Sequence, residues 1–233
     1  NICSAARHVG GNGHHSGQTS FGNNLRFLLV HFGIEYIVLD AALEAGVSAI
    51  TVHGRTVKQR YVGPSNWEFL ARVKRYVGEL TILGSGDLFS AEDCVRMLRE
   101  TGVDGCSIAR GAIGNPFIFR EAAALNAGGE CPAPPTIREQ RRALERHYEL
   151  MSMHHGEVLA APLLRKFGVR YSEMHPCHGE VKRAFLAVKN GDEWRAMLDE
   201  WYGDATRYPT VERRTRPEAL IAAGATWSCE SPD

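Results

Sequence analysis

Short apolar runs alternate with amphipathic segments along the middle of the chain, from Val47 to Phe119. Three of these runs end in small or polar residues, namely Val52-His53-Gly54-Arg55, Leu83-Gly84-Ser85-Gly86-Asp87 and Ile108-Ala109-Arg110-Gly111. An apolar run of about five residues is typical of a buried strand, and an apolar stripe at helical spacing predicts a surface helix. The alternation therefore predicts consecutive βα units, with parallel strands in one sheet and helices crossing between them.

The boundaries between these elements carry residues suited to helix ends. Glu44-Ala45-Gly46-Val47 lines up with Glu100-Thr101-Gly102-Val103, and in both copies we expect the glycine to end a helix in the left-handed conformation. Ser65-Asn66-Trp67-Glu68 is typical of a capping box at a helix start. Asn115 before Pro116 predicts another N-cap, with the proline in the first helical turn.

Two adjacent strand ends carry glycine turns that can bind an anion. The Gly84-Ser85-Gly86 turn and the Ala109-Arg110-Gly111 turn expose backbone N–H groups, and Arg110 adds a fixed positive charge. Barrels of eight βα units build phosphate sites from the loops after their last two strands. The alternative is that these glycines only make tight turns. Two adjacent loops with an arginine favour the phosphate site.

Three motifs follow one another between these elements: Thr51-Val52-His53-Gly54-Arg55-Thr56, Gly84-Ser85-Gly86-Asp87, and Ile108-Ala109-Arg110-Gly111-Ala112-Ile113-Gly114-Asn115-Pro116-Phe117. In order and spacing they resemble the last three barrel strands of the tRNA-dihydrouridine synthase family. The resemblance continues into Arg165-Lys166-Phe167 and covers the chain from Ala42 to Trp201. It implies an α/β fold, the C-terminal part of an FMN-binding (β/α)8 TIM barrel followed by a small α-helical bundle.

The resemblance also implies an activity. The family consists of flavin enzymes that reduce a uridine of tRNA to 5,6-dihydrouridine: reduced FMN, regenerated by NADPH, delivers hydride to the uracil ring, and a cysteine supplies the proton. Carried over by position, the residues that hold FMN are Ser85, Gly86, Asp87, Ala109 and Arg110. His53 takes the catalytic position near the flavin and the target base, with Arg55 beside it. The residues assigned to tRNA are Arg55, Arg165, Lys166 and Arg170, with Lys182 and Arg183 as further basic residues of the helical part. The alternative for the helical residues is a solvated polar face, because acidic residues are interspersed among them.

The chain departs from the family pattern at several positions. Ser85 stands where the family usually has Asn, and Ala109 stands where it usually has Gly, although contacts from backbone N–H groups survive both changes. The family has a lysine and an arginine on the strand before the helix that starts at Tyr36, and the lysine position is unfilled here, because the first lysine of the chain is Lys58.

Counting strands predicts that half of the barrel is absent. A closed barrel needs about 200 residues or more, so we expect the first half to be missing, together with the Asn-x-Gly-Cys-Pro loop of the catalytic cysteine. Cys3 has no such sequence context and is not assigned that role. A truncated gene product and a reading frame that shifted near Phe32 both explain this pattern.

Composition adds only wide limits. The chain has 233 residues, 44% of them hydrophobic, and a formal net charge of zero, which is typical of a soluble globular protein. A neutral total does not exclude an RNA-binding face, since local clustering of charge matters more than the sum. No apolar run is long enough for a membrane span, and the amino end lacks a basic segment followed by an apolar one, so we expect a cytoplasmic protein without membrane contact. We also expect a monomer.

The cysteines and histidines give no metal signature. The six cysteines lack paired spacing, so we expect free thiols rather than disulfides. His175-Pro176-Cys177-His178 and the upstream His154-His155 could be assembled into a metal site, but the spacing matches no standard zinc pattern. A polar loop explains these residues as well, and no metal is predicted.

The domain layout follows from breaks in composition. Residues 1–35 are predicted to be irregular and unlike the family, although Leu25–Phe32 is apolar enough for a strand. Residues 36–127 form the partial flavin-binding barrel, and residues 136–203 form the helical tRNA-binding domain, which begins with Thr136 and Glu139 as a cap. Residues 204–233 are expected to be a flexible tail. Possible further phosphate contacts in this tail are Arg213, Arg214 and Arg216.

Two alternatives to a tRNA-dihydrouridine synthase remain. One is another FMN-dependent barrel oxidoreductase of the dihydroorotate dehydrogenase type, but a small-molecule enzyme has no need of a helical appendage carrying Arg165 and Lys166. The other is a non-catalytic RNA-binding remnant in which the helical part survives and the flavin site does not.

Overall fold

The structure is a computed structural model that describes residues 27–31, 36–59 and 62–214, with side chains from residue 36 onward. Predictions for residues 1–26 and 215–233 lie outside the described residues. The strands are β1 Phe27–His31, β2 Ala49–His53, β3 Thr81–Ser85 and β4 Gly105–Cys106. The helices are α1 Tyr36–Glu44, α2 Trp67–Val77, α3 Ala91–Thr101, α4 Ile118–Asn126, α5 Ile137–His155, α6 Glu157–Ser172, α7 His178–Ala187 and α8 Gly191–Tyr202.

The strands form one parallel sheet in the order β1-β2-β3-β4. Helices α1, α2 and α3 each connect one strand to the next, so the predicted succession of βα units is confirmed. The strand predicted within residues 25–32 is present as β1. Because the strands are parallel and in sequence order, the carboxyl ends of β2 and β3 lie side by side, with His53 opposite Ser85.

The helix ends show which local predictions hold. Gly46 and Gly102 have φ of +65° and +70°, so both repeat copies end a helix in the left-handed conformation as predicted. The cap predicted at Ser65 is wrong by one residue, because the Asn66 side chain accepts the N–H of Phe69 at 2.8 Å. The cap predicted at Asn115 is also wrong. Gly114, with φ of +78°, places a turn there, and α4 begins only at Ile118.

The described residues cluster into two compact units. The sheet unit contains the described residues up to Asp87 together with Arg96–Ser107. The helical unit contains Leu88–Val95 and the described residues from Ile108 onward. The predicted domain boundaries at residues 36–127 and 136–203 remain predictions.

The helical unit begins α5 with the cap that the sequence predicts. Thr136 Oγ1 accepts the N–H of Glu139 at 3.2 Å, and the Glu139 carboxylate accepts the N–H of Thr136 at 2.8 Å. Arg120 donates to the same carboxylate at 2.6 Å, and this contact together with the Thr136 N–H lowers the pKa of Glu139 to about 2. The start of α5 is therefore fixed by both a capping box and an ion pair.

Helices α5 to α8 share an apolar core. A Cβ at Gly168 of α6 would overlap the ring of Phe185, so glycine lets α6 and α7 approach closely. The most completely buried large residues of this core are Ile137, Leu144, Leu164, Phe185, Trp194 and Tyr202. Among the helices described in residues 36–214, none combines the length and the apolar character that crossing a membrane requires.

Residues 208–214, here called the C-terminal strap, cross the helical unit. Pro209 O accepts the N–H of Ile137 at 3.3 Å, and the N–H of Val211 donates to Pro135 O at 2.9 Å. Val211 is buried, which anchors the strap in the apolar core. The first part of the predicted flexible tail therefore holds defined contacts, and the rest of the tail lies outside the described residues.

Candidate active site

The ends of β2 and β3 bring two predicted site residues together in the sheet unit. The N–H of Gly54 donates to Ser85 O at 3.0 Å, which continues the strand pairing by one residue. His53 is half-buried, and its Nδ1 lies 3.3 Å from Ser85 Oγ. The catalytic position and the start of the predicted cofactor loop are thus neighbours at the carboxyl edge of a parallel sheet, where ligands of such sheets bind.

The loop Ser85-Gly86-Asp87 has an unusual backbone. Gly86 has φ of +129°, and Asp87 has φ of +56°, which makes it the one non-glycine residue with positive φ among the described residues. Gly86 O accepts the indole N–H of Trp67 at 3.0 Å, and the Arg96 guanidinium lies 4.7 Å from the centre of that indole ring. The loop is therefore fixed by side chains outside it.

Two glycines let the segment before α2 approach this loop. A Cβ built at Gly54 or at Gly86 would overlap the Ser65 hydroxyl. The N–H of Asn66 donates to Gly54 O at 2.7 Å, so the same segment is also bound to the end of β2. Sequence reasoning missed Ser65 as a site residue. Glycines directly after two neighbouring strands were the available signal, because they often mark close approach of another backbone.

Arg55 is buried against the loop instead of lying on a surface. It is 2% exposed, and its Nη2 donates to both carboxylate oxygens of Asp87, at 2.6 and 2.7 Å. Arg55 Nη2 also donates to Gly63 O at 2.8 Å, and the N–H of Ser65 donates to Asp87 Oδ2 at 2.7 Å. The tRNA role predicted for Arg55 and the direct FMN role predicted for Asp87 remain predictions, but each side chain has a buried protein partner.

The polarity of this loop fits a ligand with oxygen acceptors, such as a phosphate. Ser85 O, Gly86 O and the Asp87 carboxylate are all occupied by protein donors. None of the hydrogen bonds among the described residues uses the N–H of Gly86. Within the same part of the chain, Ser65 Oγ is buried and without a partner. The site can therefore offer donors while its acceptors are already bound.

Ala109 and Arg110 belong to the helical unit, where residues 110–112 form a short 3₁₀ turn. The Arg110 guanidinium lies 5.1 Å from the centre of the Phe89 ring. A Cβ at Gly111 would overlap Leu88 O, so the turn packs closely on the backbone at that point. The two predicted parts of the phosphate cradle are in different compact units, and their action as one site remains a prediction.

The basic residues predicted to bind tRNA differ in their surroundings. Lys166 is exposed, with its ammonium 5.2 Å from the centre of the Phe167 ring. Arg165 is half-buried and donates to Pro162 O at 3.3 Å. Arg170 is paired with Glu173 at 2.6 Å. Of the three, Lys166 is the side chain most accessible to a phosphate.

Two of the residues considered for a metal site, His175 and Cys177, have other partners. His175 is fully buried, and its Nδ1 accepts the N–H of Cys177 at 3.0 Å. Its Nε2 therefore carries the proton and donates to Trp201 O at 3.0 Å. Cys177 Sγ lies 3.0 Å from the Tyr208 hydroxyl. Among the described residues, no group of three or more His, Cys, Asp or Glu side chains could hold a metal ion.

Comparison with known proteins supplies independent information. Residues 35–205 match the family model described as dihydrouridine synthase (Dus). The chain is similar to a probable tRNA-dihydrouridine synthase of Mycobacterium tuberculosis, with 37% identity over 158 residues, 68% of this chain and 41% of the relative. It is 33% identical over 192 residues to a protein of the same description from Mycobacterium leprae, which is 81% of this chain and 50% of the relative.

A relative from outside the mycobacteria matches a similar share of the chain. The tRNA-dihydrouridine synthase B of Xanthomonas axonopodis pv. citri is 30% identical over 161 residues, which is 69% of this chain and 48% of that protein. The chain thus spans half or less of the length of the curated relatives it matches.

Proposed function

The chain belongs to the dihydrouridine synthase family, and on that premise we propose that it is part of an FMN-dependent enzyme that reduces a uridine of tRNA to 5,6-dihydrouridine with NADPH. The observation that carries the proposal is the pairing of His53 with Ser85 beside a loop that offers donors. The names of the relatives support a tRNA substrate. A cytoplasmic monomer fits this proposal.

The residues of the sheet unit have distinct roles in this proposal. When bound, reduced FMN would supply the hydride that adds to the uracil ring, and a separate proton donor would complete the reduction. Ser85 and Gly86 hold its phosphate end through donor groups, because their carbonyl oxygens are already bound within the unit. His53 faces the same edge of the sheet, and its contact with Ser85 Oγ fixes the orientation of the imidazole toward the target base.

The helical unit has the role of binding tRNA. Lys166 and Arg165 lie on α6 and can neutralise backbone phosphates. A cofactor site in the sheet unit and a basic helical unit favour a tRNA enzyme over a dihydroorotate dehydrogenase-type enzyme, because a small substrate needs no helical unit.

The experiment supplies the first barrel half from a relative. The part of the Mycobacterium leprae protein that lies N-terminal to the residue aligned with Tyr36 is fused to Tyr36 of this chain. The product is incubated with FMN, NADPH and tRNA that lacks dihydrouridine. We expect dihydrouridine in the digested nucleosides by mass spectrometry. His53→Ala should lower its rate of formation roughly a hundredfold or more and leave tRNA affinity unchanged.

The 233-residue chain without the added segment is the control, and we expect it to bind FMN weakly and to form no dihydrouridine. A fused protein that binds tRNA and FMN but forms no dihydrouridine would contradict the proposal. A fused protein that binds tRNA and no FMN would instead favour the non-catalytic RNA-binding alternative.

A further inference from the structure

The buried ion pair between Arg55 and Asp87 joins the ends of β2 and β3. The two side chains are 2% and 5% exposed, and they are separated by 32 residues in sequence. A buried carboxylate without a compensating charge is strongly disfavoured. Arg55 therefore keeps the loop electrically neutral, and an anionic ligand at Gly86 does not meet an unpaired negative charge.

The pair also links this loop to the segment before α2. Arg55 Nε and Nη2 donate to Gly63 O at 3.2 and 2.8 Å, and Asp87 accepts the N–H of Ser65. The carboxylate of Asp87 thus has three hydrogen bonds while its backbone adopts φ of +56°, which is uncommon for a residue other than glycine. The side-chain bonds hold the backbone in this conformation.

We infer that Arg55 and Asp87 are positioning residues that set the conformation of the Ser85-Gly86-Asp87 loop, and that neither side chain binds tRNA or cofactor itself. The inference rests on the proposed function only for the identity of the ligand at this loop. It is an alternative to the tRNA contact that the sequence suggests for Arg55, because the side chain is 2% exposed and its Nε and Nη2 are held by Gly63 O and Asp87. Arg55 Nη1 is buried and has no partner among the described residues.

Trp67 provides a local signal for the conformation of the loop, since its indole N–H donates to Gly86 O. The variants Arg55→Met, Asp87→Asn and the double variant are prepared in the 233-residue chain. Arg72→Met is the matched control, because Arg72 forms an exposed pair with Glu68. Stability is measured by urea unfolding. The indole resonance of Trp67 is measured by NMR and identified with Trp67→Phe.

Removal of one partner leaves a buried charge or polar group unpaired, so Arg55→Met is expected to destabilise the folded chain and raise the unfolding equilibrium constant roughly a hundredfold or more. Asp87→Asn should act in the same direction. The double variant should recover most of the stability, because no buried charge is left alone, yet the Trp67 resonance should stay displaced. Arg72→Met should change neither quantity.

Two results would overturn the inference. One is a double variant whose Trp67 resonance returns to the parent position, since the pair would then serve charge balance alone. The other is unchanged stability and resonance in the single variants. If Arg55→Met does not fold, Arg55→Lys decides the question. It keeps the charge but not the planar donor group, so a displaced resonance supports positioning and a parent resonance excludes it.

A second measurement separates this inference from the proposed function. In the fused enzyme, the double variant should bind FMN at least tenfold more weakly than the parent, whereas Arg72→Met should bind it equally well. If the fused parent binds no FMN, the proposed function fails and the NMR comparison still decides the positioning role. If the fused double variant binds FMN as tightly as the parent, the loop does not depend on the pair and the inference fails.

Discussion

At the scale of single residues, close approach explains the glycines of the site better than turn geometry alone. Gly86 has φ of +129°, and a Cβ built on it would overlap Ser65. Gly46 also has a positive φ, of +65°, but a Cβ built on it would meet no atom within 4 Å. The two positions therefore separate the cost of backbone conformation from the cost of crowding.

Gly86→Ala is predicted to destabilise the sheet unit by about 3 kcal/mol or more, because the methyl group collides with Ser65 in addition to the backbone strain. Gly46→Ala should cost only about 1 kcal/mol, since backbone strain alone opposes it. Urea unfolding of both variants provides the measurement. Equal losses of stability would show that Ser65 moves aside without cost.

The same residues show how far the sequence could predict the site. The left-handed glycines after α1 and α3 depend on neighbouring residues, and the sequence predicts both. The partner of Arg55 lies 32 residues away, at the end of another strand. The motif identifies Arg55 and Asp87 as site residues, but only the sheet register shows that they neutralise each other.

At the scale of elements, helix starts were predictable where the cap lies within one short segment. Thr136 and Glu139 form their capping box as expected. At α2, two adjacent residues could serve as the cap, and the structure uses Asn66, whose side chain accepts the N–H of Phe69. The backbone N–H of Ser65 is bound to Asp87 in the neighbouring loop, a contact that the local sequence does not show.

The turn between α6 and α7 contains a titratable group whose neutral form the fold requires. Burial lowers the pKa of His175, Arg207 lowers it further, and Glu212 and the carbonyl of Trp201 oppose this shift. Protonation of Nδ1 would break the hydrogen bond from the N–H of Cys177. Burial also lowers the pKa of His147 on α5. Both histidines bind protons more tightly in the unfolded chain than in the folded unit.

The helical unit should therefore lose stability in mild acid. The contribution of His175 is fully present above the unfolded pKa of about 6.5 and is lost as the pH falls toward the lowered folded value. For one histidine, the free energy of unfolding should change by no more than about 1.4 kcal/mol per pH unit. Urea unfolding between pH 7.5 and 5 measures this dependence. In His175→Gln the free energy of unfolding should change less steeply with pH, and the pH dependence that is left should come from His147. Parallel curves would contradict this assignment.

At the scale of the whole molecule, net charge gives no indication of an RNA partner, because acidic side chains already neutralise much of the basic surface. Arg170 pairs with Glu173, and Arg214 of the strap pairs with the same carboxylate. Lys166 has no acidic partner among the ion pairs of the described residues. The sequence could place basic residues on the helical unit but could not show which of them are already paired.

In the fused protein, Lys166→Ala is predicted to weaken tRNA binding and to reduce its salt dependence by about one unit of log–log slope. Arg170→Ala should change the slope less, because the Arg170 guanidinium is half-buried and held by Glu173. Arg146→Ala is the control, since Arg146 pairs with Glu149 on α5 and was not assigned to tRNA. If Lys166→Ala keeps the salt dependence of the parent protein, Lys166 does not contact tRNA phosphates.

The C-terminal strap has a consequence for the lifetime of the folded state. Arg213 donates to Pro132 O and Arg214 donates to Ile113 O, across 81 and 101 residues of chain. Contacts over such separations require costly loop closure and form late in folding. Arg214→Ala should therefore accelerate unfolding and leave the folding rate nearly unchanged, whereas Thr136→Ala, which removes a local cap, should slow folding more. Stopped-flow kinetics in urea test this, and slower folding of Arg214→Ala would place the strap in the folding nucleus.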